Sequence, residues 1–188
     1  MNIAFAILLA LPMLSSCEKI KDIASKTVDK ECKVKMPISL DATAKSAPAS
    51  ELRASEECQG TFNISIEDAE GFEEYIDNLR EIDLTNLYVT IDNFEGDKEL
   101  KMDVVVKIEG DVLIDMKGVV PYDLNKNNTK ISIDDKEYIN QSTLQKLGET
   151  LLTKRKASGT YLATTNSGKA EFDINCLFKM GIRVSAFK

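Results

Sequence analysis

Histidine and tryptophan are both absent from this chain of 188 residues. Imidazole is the commonest general base near neutral pH, one half of the Ser-His and Cys-His nucleophile pairs, and the commonest metal-binding side chain. Its absence therefore excludes those pairs and most zinc and copper sites. Any enzyme built on this chain would have to work with carboxylates, lysine, tyrosine or serine.

The motifs of the large enzyme classes are missing as well. The sequence contains no GxSxG, Walker A, GxGxxG or CxxC motif, which removes the usual serine hydrolase, nucleotide-binding and zinc signatures. Paired carboxylates could still catalyse glycoside hydrolysis. The adjacent acids in this sequence are Glu67-Asp68 and Asp134-Asp135. Both pairs end predicted strands ahead of helices, where acids commonly act as caps. We therefore expect no enzyme, no catalytic residues, and a carboxylate-based hydrolase only as the alternative.

Basic residues are too few for a partner that carries a phosphate backbone. Lysine and arginine number 24 against 31 acids, so the net charge is −7. A protein that binds nucleic acid is expected to show a basic footprint, and one that lies flat on an anionic leaflet needs basic clusters. We therefore expect neither behaviour, and we interpret the excess of acids as a solubilising surface.

A short apolar run, Ile3 to Leu14, ends in Leu14-Ser15-Ser16-Cys17. The run is shorter than the roughly 20 apolar residues that span a bilayer, and small residues before the cysteine indicate a secretory signal that is removed. These four residues resemble the lipobox of bacterial lipoproteins. The resemblance implies cleavage before Cys17 and acylation, with chains such as palmitate, of its thiol and new amino group. An ordinary signal peptide with a chance cysteine is the alternative.

The residues after Cys17 indicate the compartment and the domain limits. Glu18, and not aspartate, follows the cysteine, which by similarity to lipoprotein sorting in Gram-negative bacteria favours the outer membrane, on its periplasmic face or at the cell surface. Residues 17–31 are polar, and we interpret them as the lipidated cysteine and its tether, although a first helix is the alternative. Residues 32–188 are long enough for one globular domain.

Three further cysteines lie in the predicted domain: Cys32, Cys58 and Cys176. The space outside the inner membrane permits disulfides, although spacing alone does not determine how three cysteines pair. We predict a Cys32–Cys58 disulfide because these two close the shorter loop. Cys176 would then act as a small buried hydrophobic residue.

Alternating apolar residues predict strands through most of the domain, at 33–40, 62–68, 87–91, 100–109, 112–120, 159–164 and 170–187. Helical spacing predicts one helix from Phe72 to Ile82 and another that begins at a Ser142-Thr143-Leu144-Gln145 capping box. Tight turns and one-sided alternation favour antiparallel order. The expected fold is mainly β (α+β), a two-layer β-sandwich-like domain with both helices at its edges or ends.

The order strand, helix, strand, turn, strand occurs twice in this prediction. Residues 130–135 echo residues 63–68, and residues 137–140 echo residues 74–77. An internal duplication and the chance recurrence of a common supersecondary order both explain such a pattern.

Three segments, Glu74 to Phe94, Ile131 to Leu152 and Gly159 to Phe187, together with the lipobox, resemble the small lipoproteins of Bacteroidota. The resemblance covers nearly the whole mature chain, but its motifs are structural patterns and not catalytic ones. It implies a lipoprotein of the outer envelope with a β-rich fold, and no particular activity.

One candidate metal site lies between Pro121 and Ile131. Oxygen-bearing side chains there match positions one, three, five and twelve of a calcium loop: Asp123, Asn125, Asn127 and Asp134. Asparagine stands where such loops carry glycine, and the alternative is a polar hairpin loop. Calcium is the single cofactor we consider.

By elimination, a binding or structural role remains. We expect a monomer attached to the membrane by its lipid, which contacts a protein or glycan partner through exposed loops. A calcium-dependent binding module that uses residues 123–134 is the alternative, ahead of the hydrolase.

Overall fold

A computed structural model describes residues 25–42, 56–67 and 76–185, and it consists of two packed antiparallel sheets with two helices. Sheet A has the strand order β1-β8-β3-β6, and sheet B has the order β2-β7-β4-β5. The mainly β, sandwich-like fold expected from the sequence is confirmed. Its elements are β1 Ser25–Ala42, β2 Glu56–Ser65, a 3₁₀ turn Ile76–Asn78, β3 Leu79–Gly96, β4 Met102–Ile108, β5 Asp111–Val119, α1 Pro121–Lys126, β6 Ile131–Ser132, α2 Gln141–Lys154, β7 Lys156–Thr165 and β8 Gly168–Ser185.

The centre of sheet A is β8, which pairs with β1 on one side and with β3 on the other. All three strands are 18 residues long, which corresponds to about 56 Å at 3.3 Å per residue. Every second residue of β8 points into the core and is buried: Ala170, Phe172, Ile174, Cys176, Phe178, Met180, Ile182 and Val184. This faithful alternation is why the last strand was predictable from the sequence.

Sheet B covers the inner face of sheet A with the alternating residues of β4 and β7. Two glycines let it pack tightly. The ring of Tyr161 lies over Gly60, and the ring of Phe62 lies over Gly159 on the paired strand. The Tyr161 hydroxyl then donates to the carbonyl of Pro37 in β1 at 3.1 Å, which joins the two sheets.

Residues 25–31, which were predicted to belong to a tether, are the start of β1, which begins at Ser25 and not near residue 33. Residues 25–31 pair in continuous register with residues 179–185 of β8. This part of β1 is an edge strand, and its charged side chains are mostly exposed, as is usual for edges that avoid aggregation. These charged residues interrupt the alternation of apolar residues from which a strand is predicted.

The helix predicted from Phe72 to Ile82 is wrong in its described part, since β3 begins at Leu79 and continues through the predicted 93–97 turn to Gly96. Residues 68–75 lie outside the described residues. Register shifts in β3 between Leu79 and Glu81, and again after Leu84, break the period of two. The shifts produce an apolar spacing that imitates a helix.

The polar loop expected after Pro121 is instead the short helix α1. Pro121 is buried and occupies the first turn, where its fixed φ suits a helix and its missing N–H costs nothing. The second predicted helix is confirmed as α2, but its cap is Asn140 and not the predicted Ser142 box, since Asn140 Oδ1 accepts from the backbone N–H groups of Ser142 and Thr143. Neither helix has the length and apolarity of a membrane span.

The suggested internal repeat does not appear in the arrangement of the strands. Its two equivalent strands differ, since β2 has ten residues and belongs to sheet B, while β6 has two residues and belongs to sheet A. The recurring sequence order therefore corresponds to two different local structures.

Helix α2 lies so close to β3 that only glycine fits at the contact. A Cβ at Gly148 would be 2.5 Å from the carbonyl oxygen of Ile82, and the helix or the strand would have to move. We expect Gly148→Ala to lower the free energy of unfolding by about 1 to 3 kcal/mol in urea, despite the gain of up to about 1 kcal/mol in helix propensity. The exposed Gln145→Ala is the control, and a stabilised Gly148→Ala variant would contradict the close contact.

Candidate functional site

The outward face of sheet B carries a shallow groove of about 540 Å³ that crosses three strands. Eight residues line it, and Gly60 and Tyr161 lie between two rows of outward side chains. The register sets Gln59, Leu162 and Val105 side by side in one row, and Thr61, Thr160 and Lys107 in the other. At about 4.8 Å between strands, each row is about 10 Å wide. We call this surface the sheet-B groove.

The first row of the sheet-B groove is apolar at its centre. Val105 and Leu162 are half-buried neighbours on β4 and β7, while the other side chains of the groove are exposed. Two aliphatic side chains in contact on a polar, outward-facing sheet form a small apolar platform.

The polar side chains of the groove have no partner within the part of the chain that the structure describes. This holds for the Gln59 amide, the Thr61 and Thr160 hydroxyls and the Lys107 ammonium. They offer several donors and at least three acceptors to a ligand. The strands beneath them pair with each other, so the groove exposes side-chain groups rather than free backbone groups.

The outward face of sheet A is different, because its charges neutralise each other. Lys35 lies 2.8 Å from Asp173, and comparable ion pairs join neighbouring strands at Lys179–Glu31 and Arg183–Glu81. Asp173 also accepts from Asn93 at 2.6 Å, and these two partners hold the pKa of its carboxyl below the ordinary range. This face leaves fewer groups available to a partner than the sheet-B groove does.

The acids predicted for a carboxylate-based hydrolase are not brought together. Glu67 follows β2 in sheet B, whereas Asp134 and Asp135 follow β6 in sheet A. Asp135 accepts from the backbone N–H of Ser132 and so stabilises a turn. Asp68 lies outside the described residues.

Two carboxylates lie beside the sheet-B groove, next to its apolar row. Glu57 and Asp103 both pair with Thr164 of β7, one from each side. Asp103 accepts from the backbone N–H of Gly118 at 2.7 Å, so it stabilises the end of the β4–β5 pair. Asp115 of β5 pairs with Val105 and lies 3.5 Å from Lys117, and Glu109 follows Lys107 by two residues. Carboxylates therefore lie on several sides of the groove.

The calcium loop expected at residues 123–134 is not formed. Two of its predicted ligands lie in α1, one is the C-cap of that helix and one follows β6: Asp123, Asn125, Asn127 and Asp134. The Asn125 amide donates to the carbonyl of Ile91 at 2.9 Å and so holds α1 against β3. A calcium loop needs a chain that wraps its oxygens around one point, and a helix prevents this. Among the described residues, no group of three or more acids or cysteines could hold a metal ion.

The predicted Cys32–Cys58 disulfide is wrong. Cys58 Sγ lies 3.9 Å from the carbonyl oxygen of Pro37, and Pro37 is five residues along β1 from Cys32, or about 16 Å. A disulfide needs Cα atoms within about 7 Å. The shorter loop was a poor guide, because β1 and β2 belong to different sheets and meet near Pro37.

Cys176 is buried in the core, as predicted, between Val34 and Val89 on the flanking strands. Burial alone raises the pKa of its thiol to about 12. The thiol therefore stays protonated and has no nucleophilic role in the folded protein.

A second concave surface of about 400 Å³ lies where residues 136–141 run along β5. Its backbone is occupied by hydrogen bonds, since Asp115 N–H donates to Tyr138 O and Asn140 N–H donates to Leu113 O. This surface is therefore part of the sheet edge that leads into α2.

Sequence reasoning missed the sheet-B groove. A signal was present, because Val105 and Leu162 are apolar residues in the outward phase of strands whose other outward residues are polar. Single apolar residues of this kind are common and carry little weight. Only the pairing of β4 with β7 shows that these two are neighbours.

Comparisons with known proteins found no family model, no curated protein and no solved structure that matches the chain.

The thiols should differ in reactivity. In the folded protein we expect iodoacetamide at pH 8 to label the half-buried Cys58 and to leave Cys176 unlabelled until the chain unfolds, because only a thiolate reacts. Peptide mass spectrometry after native and denatured labelling measures this, with Cys58→Ala as the assignment control. Rapid native labelling of Cys176 would contradict its burial.

Asp173 should make stability depend on pH. Its lowered pKa means that the carboxylate stabilises the fold at neutral pH, and that this contribution disappears as the pH falls below about 4, through the ordinary and then the lowered pKa. We expect Asp173→Asn to lower the free energy of unfolding, measured in urea at pH 7, by about 1 kcal/mol. The effect is this small because Lys35 is largely exposed.

The difference in the free energy of unfolding between Asp173→Asn and the native chain should disappear in strong acid. The exposed Asp83→Asn is the matched control and should change stability little at either pH. If the difference in the free energy of unfolding is unchanged in acid, the carboxylate charge of Asp173 does not cause it.

Proposed function

We propose that this chain is a lipid-anchored, non-catalytic binding protein of the bacterial outer envelope, which holds its partner in the sheet-B groove. The observation that carries the proposal is the groove's chemistry. An apolar pair and four polar side chains that have no partner among the described residues lie side by side on one face, which suits contact with a ligand. None of the six lining side chains forms a nucleophile–base or acid–base pair that could break a bond.

The anchor and the fold support the same role. Cys17 is eight residues from Ser25, so an extended tether of those residues reaches at most about 29 Å. The Tyr161 hydroxyl contacts Pro37 beneath the groove, and Pro37 is twelve residues along β1 from Ser25, or about 40 Å. The groove is therefore separated from the point where the anchored chain enters the domain.

The alternatives have less support. The calcium-dependent module would need the loop that α1 replaces. Of the adjacent acids offered for a hydrolase, Asp135 accepts from the backbone N–H of Ser132 and stabilises a turn, and Asp68 lies outside the described residues. A purely structural spacer needs no groove, and the sheet-B groove is the feature that favours a binding role over it.

Replacement of the anchoring cysteine tests the proposal. We expect Cys17→Ala to remain unprocessed or to become soluble, because a lipobox without its cysteine cannot be acylated, while the native protein incorporates labelled fatty acid and fractionates with outer membranes. Cys58→Ala is the matched control and should fractionate like the native protein. A Cys17→Ala chain that still fractionates as mature outer-membrane protein, with no label in the native chain, would remove the anchor from the proposal.

A further inference from the structure

We propose that residues 27–37 of β1 pair with the same segment of a second copy of this chain, so that sheet A of one molecule continues into sheet A of the other. The segment lies at the outer side of sheet A, and we call it the β1 edge. Three observations support the inference: the backbone groups that the β1 edge presents, the distribution of its charges and the position of Cys32. The inference goes beyond the proposed function and does not depend on what the sheet-B groove holds.

The backbone groups of the odd-numbered residues of β1 point away from β8. Opposite Glu31, the carbonyl of Lys179 accepts from the Thr85 hydroxyl of β3 at 3.2 Å. The backbone of Lys179 therefore faces β3, and that of Glu31 faces outward, because facing residues of an antiparallel pair either exchange both hydrogen bonds or exchange none. Pro37 has the same orientation, since its carbonyl accepts from Tyr161 of sheet B.

Pro37 also limits how far a new strand can pair. It has no N–H, and its carbonyl already has a partner. The odd-numbered residues from 29 to 35 remain, and no strand within the described residues pairs with their outward side. An antiparallel strand along them would gain about eight backbone hydrogen bonds, because each of four facing pairs exchanges two.

The charges of the β1 edge are divided between its two halves. Asp29 and Glu31 precede Cys32, whereas Lys33 and Lys35 follow it, and all four charged side chains are exposed on the outward face. With a two-fold axis at Cys32, an antiparallel second copy places its Lys35 opposite Asp29. The same axis places its Lys33 opposite Glu31. Opposite charges at facing positions stabilise a strand pair, so the β1 edge complements itself.

The charges of β8 agree with this arrangement. Lys179 lies 3.0 Å from Glu31, so Glu31 gains a second cation on its other side. Asp173 lies 2.8 Å from Lys35, so Lys35 gains a second carboxylate. Uncharged residues of β8 face the other two charges of the β1 edge: Gly181 and Leu177. No two like charges are therefore placed directly opposite each other across the joined strands.

The same charges disfavour the neighbouring registers. A shift of the second copy by two residues in one direction sets Glu31 opposite Glu31, and a shift in the other direction sets Lys33 opposite Lys33. Like charges at facing positions destabilise a strand pair. Charges that protect an edge strand from unrelated strands thus select one register of self-pairing, which is why a second copy is the occupant we infer.

Cys32 lies on the two-fold axis of the pair. Its backbone faces β8, so the two Cys32 residues form a pair without hydrogen bonds, in which the Cα atoms are about 4.5 Å apart. A disulfide accommodates Cα atoms about 4.4 to 6.8 Å apart. The side chain of Cys32 is half-buried and carries a thiol. An added oxidant can therefore join the two thiols, which together lose two protons and two electrons.

Oxidative crosslinking of the full-length protein, solubilised in detergent, tests the inference. Copper phenanthroline in air oxidises thiols, with dioxygen as the electron acceptor. We expect a disulfide-linked dimer on a non-reducing gel, and a Cys32–Cys32 bond in peptide mass spectrometry. Cys58→Ala should crosslink like the native protein, and Cys32→Ser should not crosslink. A chain that stays monomeric, or a dimer linked through Cys17 or Cys58, would overturn the inference.

Reversal of single charges tests the register. Lys33→Glu sets a glutamate opposite Glu31 of the second copy, and Glu31→Lys sets a lysine opposite Lys33. We expect each variant alone to give about tenfold less crosslinked dimer, since two facing pairs change sign. A mixture of the two variants should restore the dimer, because every facing pair is then opposite in charge. Tags of different size distinguish this mixed dimer on the gel.

Lys101→Glu, a change of an exposed lysine that precedes β4, is the matched control and should crosslink like the native protein. Lys33 forms no ion pair among the described residues, so Lys33→Glu removes no contact of this kind within the chain. Equal loss in Lys101→Glu and Lys33→Glu, or a mixture that stays monomeric, would overturn the inference. Neither result bears on the Cys17→Ala fractionation, which tests the proposed function separately.

Discussion

The pairing of β8 with β1 and β3 is the interaction on which the rest of this structure depends. One strand of 18 residues is hydrogen-bonded along both edges, and its inward side chains are buried almost without interruption from Ala170 to Val184. Sheet B buries its apolar face against this surface, and α2 packs against β3 beside it. Since burial of apolar area is the dominant favourable term in folding, the long ladder determines where every other element lies.

The second layer approaches the first closely because glycine and aromatic residues alternate where they meet. Tyr161 lies over Gly60 and reaches Pro37, while Gly148 allows α2 to approach β3. The inward side chains of sheet B therefore pack against sheet A, and its backbone groups form hydrogen bonds between its strands. The outward side chains of sheet B take no part in this packing, and they line the sheet-B groove.

The two outward faces of the sandwich carry different arrangements of charged side chains. On sheet A, carboxylates and cations of adjacent strands lie opposite each other and form ion pairs, such as Glu31 with Lys179. On sheet B, Lys107 forms no ion pair within the described part of the chain, while Asp115 beside Val105 lies 3.5 Å from Lys117. Groups that already pair within the protein gain little from a ligand. Exposed polar groups exchange their hydrogen bonds to water for bonds to the ligand, and each exchange contributes about 0.5 to 1.5 kcal/mol.

The sequence by itself determined the strands with clean alternation, the helix α2, the antiparallel sandwich and the burial of Cys176, because period and turn residues are local signals. It did not determine β3 near Leu79 and Ile82, where register shifts imitate a helix, or α1, whose start at Pro121 looked like a loop. The tertiary structure alone decided the separation of Cys58 from Cys32 and the sheet-B groove. Both depend on which strands become neighbours, and strand order is a property of the packed sheets that no local pattern encodes.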